Sequence, residues 1–246
     1  MEKGLTSVII LNWDGLDDTR DCLESLKTMA GAPYEAVVVD NGSGERDVRW
    51  LEANWRRLSA KIVVRRGLSF AAANNLGVRE STGEYVCILN NDTIILNGFL
   101  RALLEAVEKD ITVGIAGAQI LSGRGTIQFS GGIVEDLETG KCNHMYDYLP
   151  VEGEPRECDY VTGACMFMRR DLWDGVGGFD ERFDPIFYED VDLSLRVRKL
   201  GYRCVVVPNA LLTHKVSRTL DRDPERKKKA IEVNRQRFIG KWGQGS

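Results

Sequence analysis

Apolar and polar positions follow two rhythms through the first half of the chain. Short, mostly apolar runs recur at "SVIILNW" (7–13), "EAVVVD" (35–40), "KIVV" (61–64) and "YVCILN" (85–90). Their length and Val/Ile content predict strands buried on both faces. Between them, "DDTRDCLESLKTM" (17–29) sets Leu23, Leu26 and Met29 on one face behind an acidic first turn, which predicts a helix. "VRWLEANWRRL" (48–58), the small-residue stretch "SFAAANNLGVREST" (69–82) and "GFLRALLEAVEKD" (98–110) predict three more. Strand and helix alternating in this way predict an α/β fold: a parallel sheet covered on both faces.

The second half changes character. "VGIAGAQIL" (113–121) reads as another strand, and glycines and polar residues then break the pattern from Ser122 to Asp159, predicting short antiparallel strands and loops. "YVTGACMFMRR" (160–170) predicts a strand, "EDVDLSLRVRKLG" (189–201) a helix ended by Gly201, and "RCVVVP" (203–208) and "ALLTH" (210–214) two short strands. The tail from Arg222 is basic and reads as a helix. No internal repeat, low-complexity segment or linker interrupts the chain.

Composition narrows the function classes. With 246 residues, 43% apolar and 28% charged, the chain can bury a substantial core. A net charge of −4 gives no global attraction to nucleic acid, and none is expected as a partner. No apolar run approaches the roughly 18 residues of a bilayer span. "MEKGLTSVIILNW" lacks the long apolar core and small-residue cleavage site of a signal peptide. The six cysteines are scattered without CxxC, which predicts reduced thiols and a cytoplasmic location. His144 and His214 are not spaced with cysteines as zinc ligands would be.

In open parallel sheets, ligands bind beyond the carboxyl ends of the strands. Three predicted strands end there in oxygen-rich clusters: Asn12 to Asp14, Asp40 to Ser43, and Asn90 to Asp92. Such residues also make turns and helix caps, so two readings stand side by side. Neither GxGxxG nor GxxxxGK[ST] follows the first strand, so a nucleotide bound here would need another means of neutralising its phosphates. A divalent cation held by Asp92 would serve, with Asn90 on the same side of the extended chain. Farther on, "GGFDERFDPIFYEDVDLSLRVRKLG" (177–201) crowds Asp180, Glu181, Asp184, Glu189, Asp190 and Asp192 among aromatics. Glu189 and Asp192 suit the first turn of a helix. Asp190, close to the aromatics of "IFYED", suits a general base with a raised pKa. His214 closes a short strand, either as a structural residue or as a metal ligand better matched to Mn²⁺ than to Mg²⁺.

Taken in order, "SVIILNWDG", "VVVDNGS", "SFAAANNLG" with "LNNDT", and "GGFDERFDPIFYEDVDLSLRVRKLGY" followed by His214 resemble family 2 glycosyltransferases of the GT-A fold. The likeness is to the branch containing bacterial rhamnosyltransferases and related cell-surface polysaccharide enzymes, and runs from about Ser7 to His214. It implies a Rossmann-like, mostly parallel sheet with helices on both faces and a smaller antiparallel acceptor-side region. It divides the chain into a catalytic domain, 1–220, and a basic tail, 221–246. Within the domain, residues to about 118 form the nucleotide half and 119–220 the acceptor half.

The resemblance also assigns roles. Asp40 would bond the nucleobase, and Asn12, Asp14, Ser43, Asn75, Asn90 and Asn91 would line the donor side. Asp92 and His214 would hold Mn²⁺ or Mg²⁺, although Asn90 stands where many relatives have Asp. Asp190 would deprotonate the acceptor hydroxyl, with Glu189, Asp192 and Gly163 on the acceptor side. The implied reaction is an inverting transfer of rhamnose or a hexose from dTDP-rhamnose or a UDP-sugar to a glycan or lipid-linked acceptor. Two alternatives stay open: a non-catalytic binding protein of the same fold, and transfer to a peptide side chain. Arg65 or Arg66 reads equally as a diphosphate contact or a surface pair. The tail reads as a solvated helix or as a peripheral contact with anionic lipid at the inner face of a membrane. The oligomeric state is left open.

Overall fold

The computed structural model describes residues 1–96, 98–146, 152–215 and 224–243. The first half alternates as expected: β1 (Glu2–Asn12), α1 (Leu16–Met29), β2 (Tyr34–Asn41), α2 (Glu45–Asn54), β3 (Ala60–Arg65), α3 (Phe70–Arg79), β4 (Gly83–Asn90), β5 (Thr93–Ile95) and α4 (Phe99–Lys109). The second half contains β6 (Val113–Ser122), β7 (Ile127–Phe129), β8 (Gly132–Asp136), β9 (Lys141–His144), β10 (Arg156–Cys158), β11 (Cys165–Arg169), α5 (Arg170–Val176), α6 (Glu189–Lys199), β12 (Arg203–His214) and α7 (Pro224–Trp242).

One large sheet runs β10-β12-β6-β11-β4-β1-β2-β3, with β5 added to β12 and β7 to β6. β4, β1, β2 and β3 are parallel, whereas β11 runs antiparallel between β4 and β6. Val8 to Ile10, Val37 to Val39 and Val86 to Leu89 are all buried. Consecutive strand residues point to opposite faces, so both faces of this sheet are covered. The register pairs Asn12 with Asp40 and Leu11 with Asn90, which gathers the three oxygen-rich strand ends on one edge. β8 and β9 form a separate antiparallel sheet. All six cysteines are unpaired thiols, and five are buried.

Four expectations change. The strand expected over 160–170 begins only at Cys165, and Arg170 already opens α5. The two strands expected over 203–214 are one, β12, with its register shifted between Val207 and Leu211, around Pro208, which has no N–H for the ladder. The helix expected over 48–58 occupies Glu45–Asn54. The basic tail is helical but not simply solvated: Ala230, Asn234, Phe238 and Trp242, four residues apart, form a buried stripe on α7. Phe238 packs its ring 5.1 Å from Tyr188, and Trp242 Nε1 donates to Asp192 Oδ1 at 2.9 Å. The boundary expected at residue 220 lies outside the described residues. No described helix is long and apolar enough to cross a membrane.

Candidate active site

The sheet edge is built from side chains that satisfy one another. Asn12, fully buried at the end of β1, donates through Nδ2 to Asp40 Oδ2 at 2.7 Å and to Ser43 Oγ at 3.0 Å. Its Oδ1 accepts from Thr19 Oγ1 at 2.8 Å. Asp40 Oδ1 accepts from the backbone amides of Gly42 and Ser43. Asp14, at φ 49°, donates its amide to Ser43 Oγ and accepts from Gly44 N through Oδ1. Asn91 reaches back to Thr19 Oγ1 at 2.9 Å, and a Cβ on Gly15 would come within 2.7 Å of the Asn91 amide nitrogen. A side chain at Gly15 would push the Asn91 amide aside.

Asp92 follows β4, and the unexpected short strand β5 brings it to His214. β5 pairs antiparallel with β12, placing Thr93 opposite His214, and Lys215 N donates to the Asp92 carbonyl at 2.9 Å. Lys215 also bridges to Asp18 and Asp21 on α1, pinning this corner. His214 Nε2 lies 2.9 Å from Asp92 Oδ1. The pair lacks hydrogen-bond alignment, and Nε2 is buried without a partner. An orphaned imidazole nitrogen facing a carboxylate is a donor set suited to a divalent cation, with the remaining positions left to phosphate and water.

Asp190 lies in the first turn of α6. Its Oδ2 accepts from Gly163 N at 2.9 Å and its Oδ1 from Val191 N at 2.8 Å. Burial raises its pKa above the ordinary carboxylate value, against those two amides. Glu189 is buried beside it. Burial, then the charge of Asp190, push its pKa well above the usual value, and its Oε2 has no hydrogen-bond partner. Phe187 and Tyr188, just before, take left-handed φ values of 84° and 72°. Gly163 is small for a reason: a Cβ there would sit 3.3 Å from the Phe70 ring and 3.7 Å from Asp190 Cβ. His144, for which no role is expected, lies close enough for its charge to favour ionised Asp190; burial lowers its own pKa.

A cleft of about 750 Å³ opens at the sheet edge. Asn12, Asn90, Asn91 and Asp92 line it, joined by Asn41, Arg66, Phe70 and residues of α7. Phe70 is thus a wall between the cleft and the Gly163–Asp190 pair. Asp40, Ser43 and His214 are buried behind the lining, in contact with Asn12 and Asp92, which form it, and Asp14 is exposed beside Trp13. Two assignments are corrected. Asn75 does not face the cleft: its amide exchanges hydrogen bonds with the backbone of Phe179 and donates to Glu181. Asp192 is fully buried; it pairs with Arg196 within α6 and joins α6 to α7 through Trp242 and Lys241, so it presents nothing to an acceptor. Asn41, which exchanges two hydrogen bonds with the Leu68 backbone, and the α7 residues are the contributors that local sequence reasoning missed.

Comparison with known proteins adds five likenesses. The family model described as Glycosyl transferase family 2 matches residues 7–176. An uncharacterised protein, y4gI, of Sinorhizobium fredii is 32% identical over 91% of this chain and 26% of its own length. The O-antigen biosynthesis protein RfbC of Myxococcus xanthus is 31% identical over 89% of this chain and 18% of its own. The chain therefore spans about a quarter or less of those two relatives. N-acetylglucosaminyl-diphospho-decaprenol L-rhamnosyltransferase of Mycobacterium tuberculosis is 29% identical over 82% of this chain and 73% of its own. Among solved structures, GalNAc-T7 with UDP, GalNAc and Mn²⁺ superposes with a TM-score of 0.69 at 14% identity, over 86% of this chain and 44% of that one.

Proposed function

The chain belongs to glycosyl transferase family 2 and has the GT-A fold, and from that premise we propose an inverting, metal-dependent transfer of rhamnose or a hexose. The donor is a nucleoside diphosphate sugar, dTDP-rhamnose or a UDP-sugar, and the acceptor a hydroxyl of a cell-surface glycan or lipid-linked saccharide. The observation that carries this reading is the Asp92–His214 pair, 2.9 Å apart with Nε2 unpartnered, beside a cleft of about 750 Å³. The printed names of two relatives, an O-antigen biosynthesis protein and a rhamnosyltransferase, support the substrate class.

Asp92 and His214 would hold Mn²⁺ or Mg²⁺, which when bound supplies positive charge against the departing diphosphate. Asp190 does the proton work. The acceptor oxygen forms its bond to the sugar carbon as the bond from that carbon to the phosphate oxygen breaks on the opposite face. The hydroxyl proton passes to the Asp190 carboxylate, and the sugar inverts. A raised pKa makes Asp190 a stronger base than an ordinary aspartate.

Calorimetric titration with a panel of nucleoside diphosphates and their sugars, with and without Mn²⁺, tests the reading. Binding of one nucleotide, dependent on metal, is expected, and Asp92→Ala should remove the metal dependence. Absence of binding across the whole panel would overturn the catalytic reading.

A further inference from the structure

Seven lysines and arginines lie on α7, Arg226, Lys227, Lys228, Lys229, Arg235, Arg237 and Lys241, and they divide by position. Toward its carboxyl end they anchor the helix. Arg235 pairs with Glu232 and donates to the Thr139 carbonyl. Arg237 donates to the Asp184 carbonyl and Asn234 Oδ1, and Lys241 pairs with Asp180 and Asp192. Near the amino end, Arg226, Lys229, Ala230 and Val233 share one face by helical spacing, and all four line the cleft. Lys229 is exposed there, and its ammonium has no anionic partner among the described residues.

Arg66 lines the same cleft from the loop after β3, and it too has no carboxylate partner among the described residues. Its stem lies along the turn after β2 because Gly42 lacks a side chain: a Cβ there, at φ 98°, would sit 3.3 Å from Arg66 Cγ. The same lining includes Asn90 and Asp92. The metal motif therefore offers one carboxylate where two are common, and no glycine-rich loop supplies backbone amides. A multiply charged ligand in this cleft would draw counter-charge from side chains as well as from a cation at Asp92, and two uncommitted cations stand ready.

We infer that Lys229 of α7 and Arg66 form a diphosphate-binding wall of the donor cleft that Asp92 also lines. This rests on the donor reading above and deepens it. It also gives the basic helix a role inside the cleft. Ala230 is buried and the wholly buried Asn234 donates to the Ile186 carbonyl at 2.9 Å, so the helix that carries Lys229 is fixed in place. An arginine fork and a lysine point charge both suit phosphate oxygens.

The test titrates UDP, dTDP and the matching monophosphates, with Mn²⁺, into wild type, Lys229→Ala, Arg66→Ala and Lys229→Glu. Sedimentation with phosphatidylglycerol vesicles is measured in parallel. Each alanine variant should weaken diphosphate binding about tenfold or more, the monophosphate less, and Lys229→Glu most. Melting temperatures should stay at the wild-type value, since both side chains are exposed. Wild-type diphosphate affinity in all three variants would overturn the inference while leaving the donor reading intact. Loss of vesicle binding with unchanged nucleotide affinity would overturn it in favour of a lipid headgroup. Failure of wild type to bind any nucleotide would remove the donor reading and the inference together.

Discussion

Asp40 and Glu189 are both buried carboxylates, and their surroundings are built on opposite plans. Asp40, wholly buried at the sheet edge, has both oxygens occupied by the Asn12 amide and the Gly42 and Ser43 amides. Glu189, beside half-buried Asp190, has less compensation: its Oε2 has no partner, and burial raises the pKa of both groups from their ordinary values. The approach to that pair is strained as well. Left-handed φ values at Phe187 and Tyr188 cost on the order of 1–3 kcal/mol each. α7 holds the segment in place through Asn234 and Arg237. Where polar groups satisfy one another they build scaffold; where burial outruns satisfaction, chemistry is held ready.

The largest effect should come from Asp190→Asn. It keeps shape and loses the base, so kcat should fall about 10²- to 10⁴-fold while nucleotide affinity stays near wild type. In wild type, the raised pKa sets the acid limb: activity should be lost, as pH falls, above the range of an ordinary aspartate. A kcat/KM profile and a nucleotide titration check both points. Equal loss of affinity and rate would place Asp190 with Asp40, as scaffold.

Asn12→Ala should act on the other plan. It leaves Asp40 Oδ2 without its partner and removes one hydrogen bond each from Ser43 Oγ and Thr19 Oγ1 at a buried site. The expected loss is about 1–3 kcal/mol, seen as a melting temperature lowered by roughly 2–4 °C per kcal/mol. Asp190→Asn should not show that drop. A variant that melts like wild type would show that the sheet-edge knot is not what holds the strand ends together.

The same contrast explains what could be read from the sequence. Strands buried on both faces leave a strong apolar signal, so β1 to β4 and the helices among them were legible. β5 and α5 were not, since three and seven residues carry too little periodicity. Yet β5 is what brings His214 to Asp92. Asn75 and Asp192 have the chemistry of site residues, and nothing local reveals that their partners are Phe179 and Trp242, 104 and 50 positions away. The stripe Ala230, Asn234, Phe238, Trp242 was present in the sequence, masked by the charges around it.

Glu189→Gln should produce the smallest change and the sharpest comparison. The folded pKa of Glu189 lies above its unfolded value, so the native state holds the proton more tightly. Below the ordinary glutamate range, about 4.3, the group is protonated in both states and imposes no penalty. As pH rises through that value, the unfolded state ionises first. The native state then loses stability until the folded pKa is passed, where the penalty reaches its full value. Glutamine cannot ionise, so the variant escapes this term. It should melt roughly 2–4 °C higher than wild type at pH 8, the equivalent of about 1 kcal/mol in a chain of this size, and at the same temperature as wild type near pH 4. A gain of equal size at both pH values would trace the change to packing. A loss at pH 8 would mean that the Glu189 carboxylate is satisfied as Asp40 is, and that the two surroundings follow one plan after all.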